Sequence, residues 1–355
     1  MPDLADLSLR PGTLKLFQQR GFTNTAEVER SRENGGLANL AAELGCSLRQ
    51  ANDLFREISG AAQPMGQAKT ASQLLNVPNN NAKMGSRKLV TFCRSVDSML
   101  GGGIALGEVT EIAGVPGSGK TQLAMQLSVD ARLPIQYGGV EGTAVYIDTE
   151  GSFSPERCYT MASALVDHVK KSAEKRKTQC PPTPQWFQPN TIMQGIHVFR
   201  AHDEAAQMSI VMGLPDFLRD QEQQGSPVKA VVVDSIAFHY RCAPPGGNYL
   251  ARTRSLSTVA SLLSDMATKF DLAVIVINQM TTKVATTANT TDTESVLVPA
   301  LGESWAHATT TRLLIASETN NNNNRTCTLT KSPNRPSGVS TFKILEAGIR
   351  DIDRH

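Results

Sequence analysis

The feature that most constrains this chain is the run Gly114-Val115-Pro116-Gly117-Ser118-Gly119-Lys120-Thr121, a complete G-x-x-x-x-G-K-T. Such a run works as the turn between a strand and a helix. Its glycines let successive backbone N–H groups curl around an anion, and the following helix N-terminus adds positive potential. The flanks meet that requirement, with Glu108–Ala113 strand-like and Gln122–Val129 helix-like. Lys120 is then set to neutralise β- and γ-phosphates and Thr121 to offer its hydroxyl to Mg²⁺. The motif therefore predicts a nucleotide site running from Gly114 to Gln122.

Around it, short apolar β-branched runs alternate with helix-length stretches from Leu89 onward, which predicts an α/β core with a largely parallel sheet. Expected strands are Glu108–Ala113, Thr143–Asp148, Lys229–Asp234, Leu272–Ile277 and Thr311–Ala316. Residues 171–192 and 320–325 read as surface insertions. Residues 1–60 read as a small all-helical domain. Leu14 and Phe17 share one face, Leu37, Leu40, Ala41 and Leu44 form a second stripe, and Ser47 and Gln50 have capping-box spacing. That capping box opens a helix with Leu48, Ala51, Leu54, Phe55 and Ile58 on its buried side and Gly60 as its stop. The domain carries seven basic and eight acidic residues, which favours protein docking or a structural role over DNA binding. Residues 61–88 read as a linker, leaving 89–355 as the core domain.

A formal net charge of +2 is too small for wholesale attraction to nucleic acid or membrane, so DNA contact must come from local clusters. Six cysteines lie far apart with no metal-ligand spacing, as in an intracellular protein with reduced thiols. The chain begins Met1-Pro2-Asp3-Leu4 without a basic stretch leading into an apolar run, and no apolar segment approaches the ~18 residues of a membrane span. A soluble protein with no membrane partner is expected.

Three further strand ends carry polar groups. Val231-Val232-Val233-Asp234 sets a carboxylate where the water shell of Mg²⁺ would lie. Tyr146-Ile147-Asp148-Thr149-Glu150 brings acidic residues to the carboxyl end of another strand. Glu150 either polarises an attacking water or, with Asp148, caps the next helix; the local sequence leaves both open. Val276-Ile277-Asn278-Gln279 offers a neutral amide that can hydrogen-bond a γ-phosphate and report its presence.

Taken together, Gly102-Gly103-x-x-x-Gly107, GVPGSGKTQ, IDTEGSF-x-PER, VVVDSIA and INQMTTK followed by LVPALGESWAHA resemble the RecA-like eukaryotic recombinases from Leu89 to Asp353. Gly101-Gly102-Gly103, NQMTTK, LVPALGESW and Lys331-Ser332-Pro333 are closer to the family's C-type paralogue than to its filament-forming member. The resemblance implies a RecA-like P-loop ATPase core behind a helical N-terminal domain. It also implies ATP and Mg²⁺ as cofactors, Glu150 as catalytic carboxylate and Gln279 as the switch between nucleotide and DNA. By the same resemblance Arg157 stacks on adenine, which its planar guanidinium suits. His307 would sense the phosphate of a neighbouring subunit, whereas the residues alone suggest a structural histidine. Lys331 stands where the filament-forming member is acidic, and it reads equally as a phosphate contact across the interface or as an exposed cation.

The family's two DNA-lining loops correspond to Ala237–Ser257, with Arg241, Arg252 and Arg254, and to Met280–Gly302, with Lys283. Phosphate contact by these cations needs no base readout. Docking between filament subunits relies on a Phe-x-x-Ala motif in the interdomain linker. Residues 61–88 contain no Phe, Tyr or Trp, so self-docking is expected to be weak. The implied partners are the B-type paralogue, the X-ray-cross-complementing paralogue and single-stranded DNA, with nuclear and also cytoplasmic localisation. Two functions share every motif: a recombination mediator with DNA-stimulated ATP turnover, and an interaction subunit in which ATP is structural glue.

Overall fold

In the computed structural model the described residues are 3–7, 9–33, 36–62, 88–175, 183–241, 249–286, 293–318 and 324–352. The chain divides into two compact units, Met1–Asn80 and Asn81–His355. Nearly all of the expected linker, residues 63–87, lies outside the described residues.

The first unit holds α1 (Pro11–Gln19), α2 (Thr25–Glu33), α3 (Gly36–Leu44) and α4 (Leu48–Ala62) around Leu4, Phe17, Phe22, Val28, Leu40, Leu44 and Ile58. Phe17 meets Phe22 edge to face at 5.6 Å. The capping box closes in both directions, with the Ser47 amide donating to Gln50 Oε1 at 3.1 Å and the Gln50 amide to Ser47 Oγ at 3.3 Å. Two expectations fail here. Gly60 lies inside α4, which ends at Ala62, and Leu48 is exposed at the first turn. Helix α2 went unseen in the sequence because Val28 is its one fully buried apolar residue.

The second unit runs β1 (Lys88–Leu89), α5 (Arg94–Met99), β2 (Ile104–Ala105), β3 (Val109–Gly114), α6 (Lys120–Asp130) and β4 (Thr143–Asp148). There follow α7 (Pro155–Lys175), α8 (Pro189–Gln194), β5 (Ile196–Arg200), α9 (Glu204–Gln223), β6 (Val228–Asp234), α10 (Phe238–Arg241) and α11 (Tyr249–Phe270). The chain continues through β7 (Ala273–Thr286), β8 (Thr293–Pro299), α12 (Gly302–Ala308), β9 (Thr311–Ser317), β10 (Asn324–Lys331), β11 (Gly338–Leu345) and β12 (Gly348–Asp351).

The main sheet has the order β12-β11-β10-β9-β3-β7-β6-β4-β5, parallel from β9 to β5 and antiparallel from β9 to β12. Its central strands are apolar on both faces. Ala144, Tyr146, Ala230 and Val232 enter one core, and Val145, Ile147, Val231 and Val233 enter the other. This is the two-residue period of a strand covered by helices on both sides. Each such Val or Ile contributes about 1.5–3 kcal/mol by leaving water, so both helix layers are firmly attached.

The order also fixes where a ligand can sit. The chain leaves β3 through α6 and enters β4, which lies three places along the sheet with β7 and β6 between them. The carboxyl ends of β3, β7, β6 and β4 therefore open one crevice at a reversal of strand order, where open α/β sheets bind ligands.

The expectation of a surface insertion at 171–192 is corrected at both ends. Helix α7 extends to Lys175, Phe187 is fully buried, and the Arg132 guanidinium lies 4.9 Å over the Trp186 ring. Phe187 belongs to the apolar core and Trp186 packs against it. Of the 320–325 segment, Asn324 and Arg325 begin β10, and 319–323 lie outside the described residues.

Candidate nucleotide site

Strand β3 ends at Gly114 and α6 begins at Lys120, so the glycine motif is the strand-to-helix turn that its chemistry requires. Two of its glycines are sterically necessary. A Cβ on Gly114 would strike the Ile315 carbonyl of neighbouring β9 and the Ser118 hydroxyl, and Gly119 has φ 101° with Ile344 pressed against it. Ser118 Oγ is buried with no partner among the described residues. Lys120 is only 8% exposed and donates from Nζ to the Val115 carbonyl at 2.9 Å, closing the turn on itself. Burial lowers its pKa, with Asp234 and Glu150 acting in the opposite sense. A half-desolvated ammonium and an orphaned hydroxyl inside a glycine cradle suit a phosphate chain.

Asp234, at the end of β6, is 2% exposed. Its Oδ2 accepts from Thr121 Oγ1 and from Tyr146 Oη, each at 2.7 Å. Burial raises its pKa, while the Tyr146 and Thr121 hydrogen bonds pull it down. Hydroxyl beside carboxylate is the sparse oxygen donor set that Mg²⁺ takes when phosphate supplies the remainder. The described residues hold no group of three or more His, Cys, Asp or Glu that could hold a metal ion.

Asp148 stands beside Asp234 in register, yet it does different work. Its carboxylate accepts from the amides of Glu150, Gly151, Ser152 and Phe153 at 2.8–3.3 Å, and Arg200 Nη1 meets it at 2.6 Å. The helix-cap reading is thereby corrected. Helix α7 is capped by Ser154, whose Oγ accepts from the Arg157 amide at 3.2 Å, while Asp148 folds the turn that presents Glu150. Glu150 Oε1 then accepts from Gln279 Nε2 at 2.7 Å and from the Ser235 hydroxyl. Gln279 is in β7, in register with Gly114 of β3. Lys120, Thr121, Asp234, Glu150 and Gln279 thus belong to one crevice, although Lys120 and Thr121 open α6, Glu150 follows β4, and Asp234 and Gln279 lie on β6 and β7.

Arg157, in the first turn of α7, uses its guanidinium edge rather than leaving it open. It donates to Gln122 Oε1 at 2.7 Å, to the Leu345 carbonyl at 2.6 Å and to the Glu346 carbonyl, tying α6 to the β11–β12 turn. Arg325 was missed by sequence reasoning. From β10 its Nε donates to the Ser118 carbonyl at 3.0 Å, so a second cation flanks the glycine turn. Its signal, one Arg after a run of Asn, is indistinguishable from a surface charge.

The remaining residues lie away from this crevice. His307 is exposed on α12, and Lys331 is half-buried and donates to the Ala306 and Thr309 carbonyls of its own chain. The first expected DNA loop is largely helical. Arg241 ends α10, and Arg252 and Arg254 lie in the first turns of the 22-residue α11, half-buried and exposed respectively. The side chain of Arg241 and residues 242–248 lie outside the described residues. The second expected loop is a ribbon in which β7 and β8 pair from Met280↔Pro299 to Thr286↔Thr293, with Lys283 opposite Val296. A Thr-rich run suggests a loop, yet β-branched threonines favour just such a strand. The Lys283 side chain is outside the described residues.

Known proteins agree with this geometry. The Rad51 family model matches residues 85–174 and 184–352. The chain is 41% identical over 270 residues to "DNA repair protein RAD51 homolog 3" of Dictyostelium discoideum, covering 76% of this chain and 66% of that protein. It is 36% identical over 356 residues to the protein of that name from Cricetulus griseus, covering 98% and 92%. It is 34% identical over 268 residues to "DNA repair and recombination protein RadA" of Metallosphaera sedula, covering 75% and 73%. Glycine cradle, strand order and extent of match point the same way, and the chain belongs to the Rad51 family.

Proposed function

We propose that this chain is an ATP-binding recombination mediator, acting with other Rad51-family paralogues on single-stranded DNA in homologous-recombination repair and fork protection. The observation that carries the reading is the crevice itself, where Thr121 meets Asp234 and Gln279 meets Glu150, each pair at 2.7 Å, beside the buried Lys120. Lys120, the backbone of 114–119 and Gln122 bind the phosphates, with Arg157 near the base. Thr121 and Asp234 hold Mg²⁺, which when bound neutralises phosphate charge. Glu150 orients and deprotonates water, and Gln279 exchanges its bond to Glu150 for one to a γ-phosphate. Because Gln279 and the β7–β8 ribbon share one strand, that exchange reaches the surface offered to DNA. The resemblance supports the B-type and X-ray-cross-complementing paralogues as partners, and a nuclear and also cytoplasmic location.

One observation favours a second reading, ATP as structural glue. Ser235 and Gln279 both donate to the same oxygen of Glu150, so the oxygen that would meet water already holds two hydrogen bonds within the chain. A single-turnover ATPase assay with and without single-stranded DNA, on the chain alone and with the two paralogues, decides between them. A DNA-stimulated rate that falls about 10²–10⁴-fold in Glu150→Gln supports the mediator. ATP binding without turnover supports glue.

For DNA, reversing Arg252 and Arg254 to Glu is expected to weaken single-strand binding while ATP affinity stays nearly intact. If both touch phosphate, the log–log salt slope falls by about 0.7 per contact. An unaltered slope makes them ordinary surface charges.

A further inference from the structure

Helix α12 carries His307 and has only seven residues, too few to hold itself in water. It depends on its neighbours, and these are unequal. One side buries Trp305, but between α12 and α11 lies an open cleft of about 600 Å³ lined by Arg252, Ser261, Asp265, Trp305 and His307. Toward α11, packing through Trp305 and this open cleft share the face. At its carboxyl end the contact is a pair of hydrogen bonds from a cation to backbone carbonyls. Lys331 Nζ donates to the Ala306 carbonyl at 2.7 Å, which also accepts from Thr309 Oγ1 at 3.3 Å, and to the Thr309 carbonyl, setting a cation at the negative end of the helix.

Lys331 is aimed there by its strand. The β9–β10 register shifts between Leu329 and Lys331, a bulge that turns the side chain out of the ladder and pairs Lys331 with Arg312. Arg312 is in turn anchored at 2.6 Å to Glu111, which is wholly buried in β3 and also accepts from Asn278 Nδ2 at 2.7 Å. Asn278 adjoins Gln279, and Glu111 lies three residues before Gly114. The clamp on α12 is thus rooted in β3 and β7, two of the four strands that open the nucleotide crevice.

We propose that Lys331 is a positioning residue: from within its own subunit it clamps the carboxyl end of α12 and thereby sets His307 toward a neighbouring subunit's nucleotide. The second half rests on the family resemblance that sets His307 against a neighbouring subunit's phosphate; the first does not. Lys331 itself touches no nucleotide.

The test uses the full chain and the assembled hetero-oligomer. In hydrogen exchange of the full chain with Mg-ATP, Lys331→Met is expected to reduce protection of the Trp305–Thr309 amides by about tenfold or more, leaving the glycine-turn amides unchanged. Lys331→Gln, which keeps an N–H donor without charge, is expected to fall between the two and serves if the Met variant does not fold. In the hetero-oligomer, ATP turnover of Lys331→Met combined with His307→Ala is expected to equal that of His307→Ala alone. Unchanged α12 protection overturns the clamp. Losses that multiply in the double variant also overturn it, because Lys331 then acts directly across the interface. Lost protection with full turnover in His307→Ala keeps the clamp and rejects the neighbour-facing role of α12.

Discussion

Lys120→Ala is expected to lower ATP affinity about a hundredfold or more while the fold survives. The ammonium is the principal cation inside the glycine turn, and charge-assisted bonds to phosphate are among the strongest a side chain makes. Its loss removes little packing, since its one hydrogen bond in the turn goes to the Val115 carbonyl, which can turn to water. Titration of the variant with a fluorescent ATP analogue, beside its thermal melt, reads both quantities. Wild-type affinity would remove the crevice from any account of this protein.

Asp148→Ala is expected to separate binding from turnover. Its carboxylate holds four amides of the 150–153 turn and Arg200, so the variant frees the segment that presents Glu150 while leaving Lys120, Thr121 and Asp234 in place. Removing an acceptor shared by several donors costs about 2 kcal/mol, the Arg200 share being discounted because that side chain is 40% exposed. Turnover should fall as far as in Glu150→Gln, with Mg-ATP affinity changed only a few-fold and the melt lowered by several degrees. If affinity collapses together with turnover, the turn belongs to the phosphate cradle itself.

What the sequence made legible is what short-range chemistry dictates. Thr143–Asp148 is found as a strand with the expected bounds, the Ser47–Gln50 box closes, and the glycine motif turns between strand and helix. In each of these the partner lies within a few residues or the pattern is periodic. Asp148 was ambiguous because a carboxylate at a strand end carries no mark of whether it meets metal, helix or its own loop. Its Arg200 partner lies 52 residues on. The Lys331 clamp was hidden for a similar reason, since the bulge that aims it depends on the register between two strands. Strands β10 to β12 form an antiparallel extension with one wetter face, and their mixed runs did not stand out from loops.

The tie between Arg157 and the β11–β12 turn bears on the order in which this protein can be built. The carbonyls that receive Arg157 belong to Leu345 and Glu346, the Ile349 amide donates to Gln126 of α6, and Asp351 caps α5 through the Arg94 and Ser95 amides. During synthesis the glycine turn emerges early, but the strands that back its helix are made more than two hundred residues later. The first unit can form its helices as soon as it is made, whereas the nucleotide crevice stays incomplete until the chain is nearly finished. A ribosome-bound chain stalled before residue 345 should therefore hold ATP poorly, which makes nucleotide capture a late checkpoint of maturation rather than a scaffold for folding.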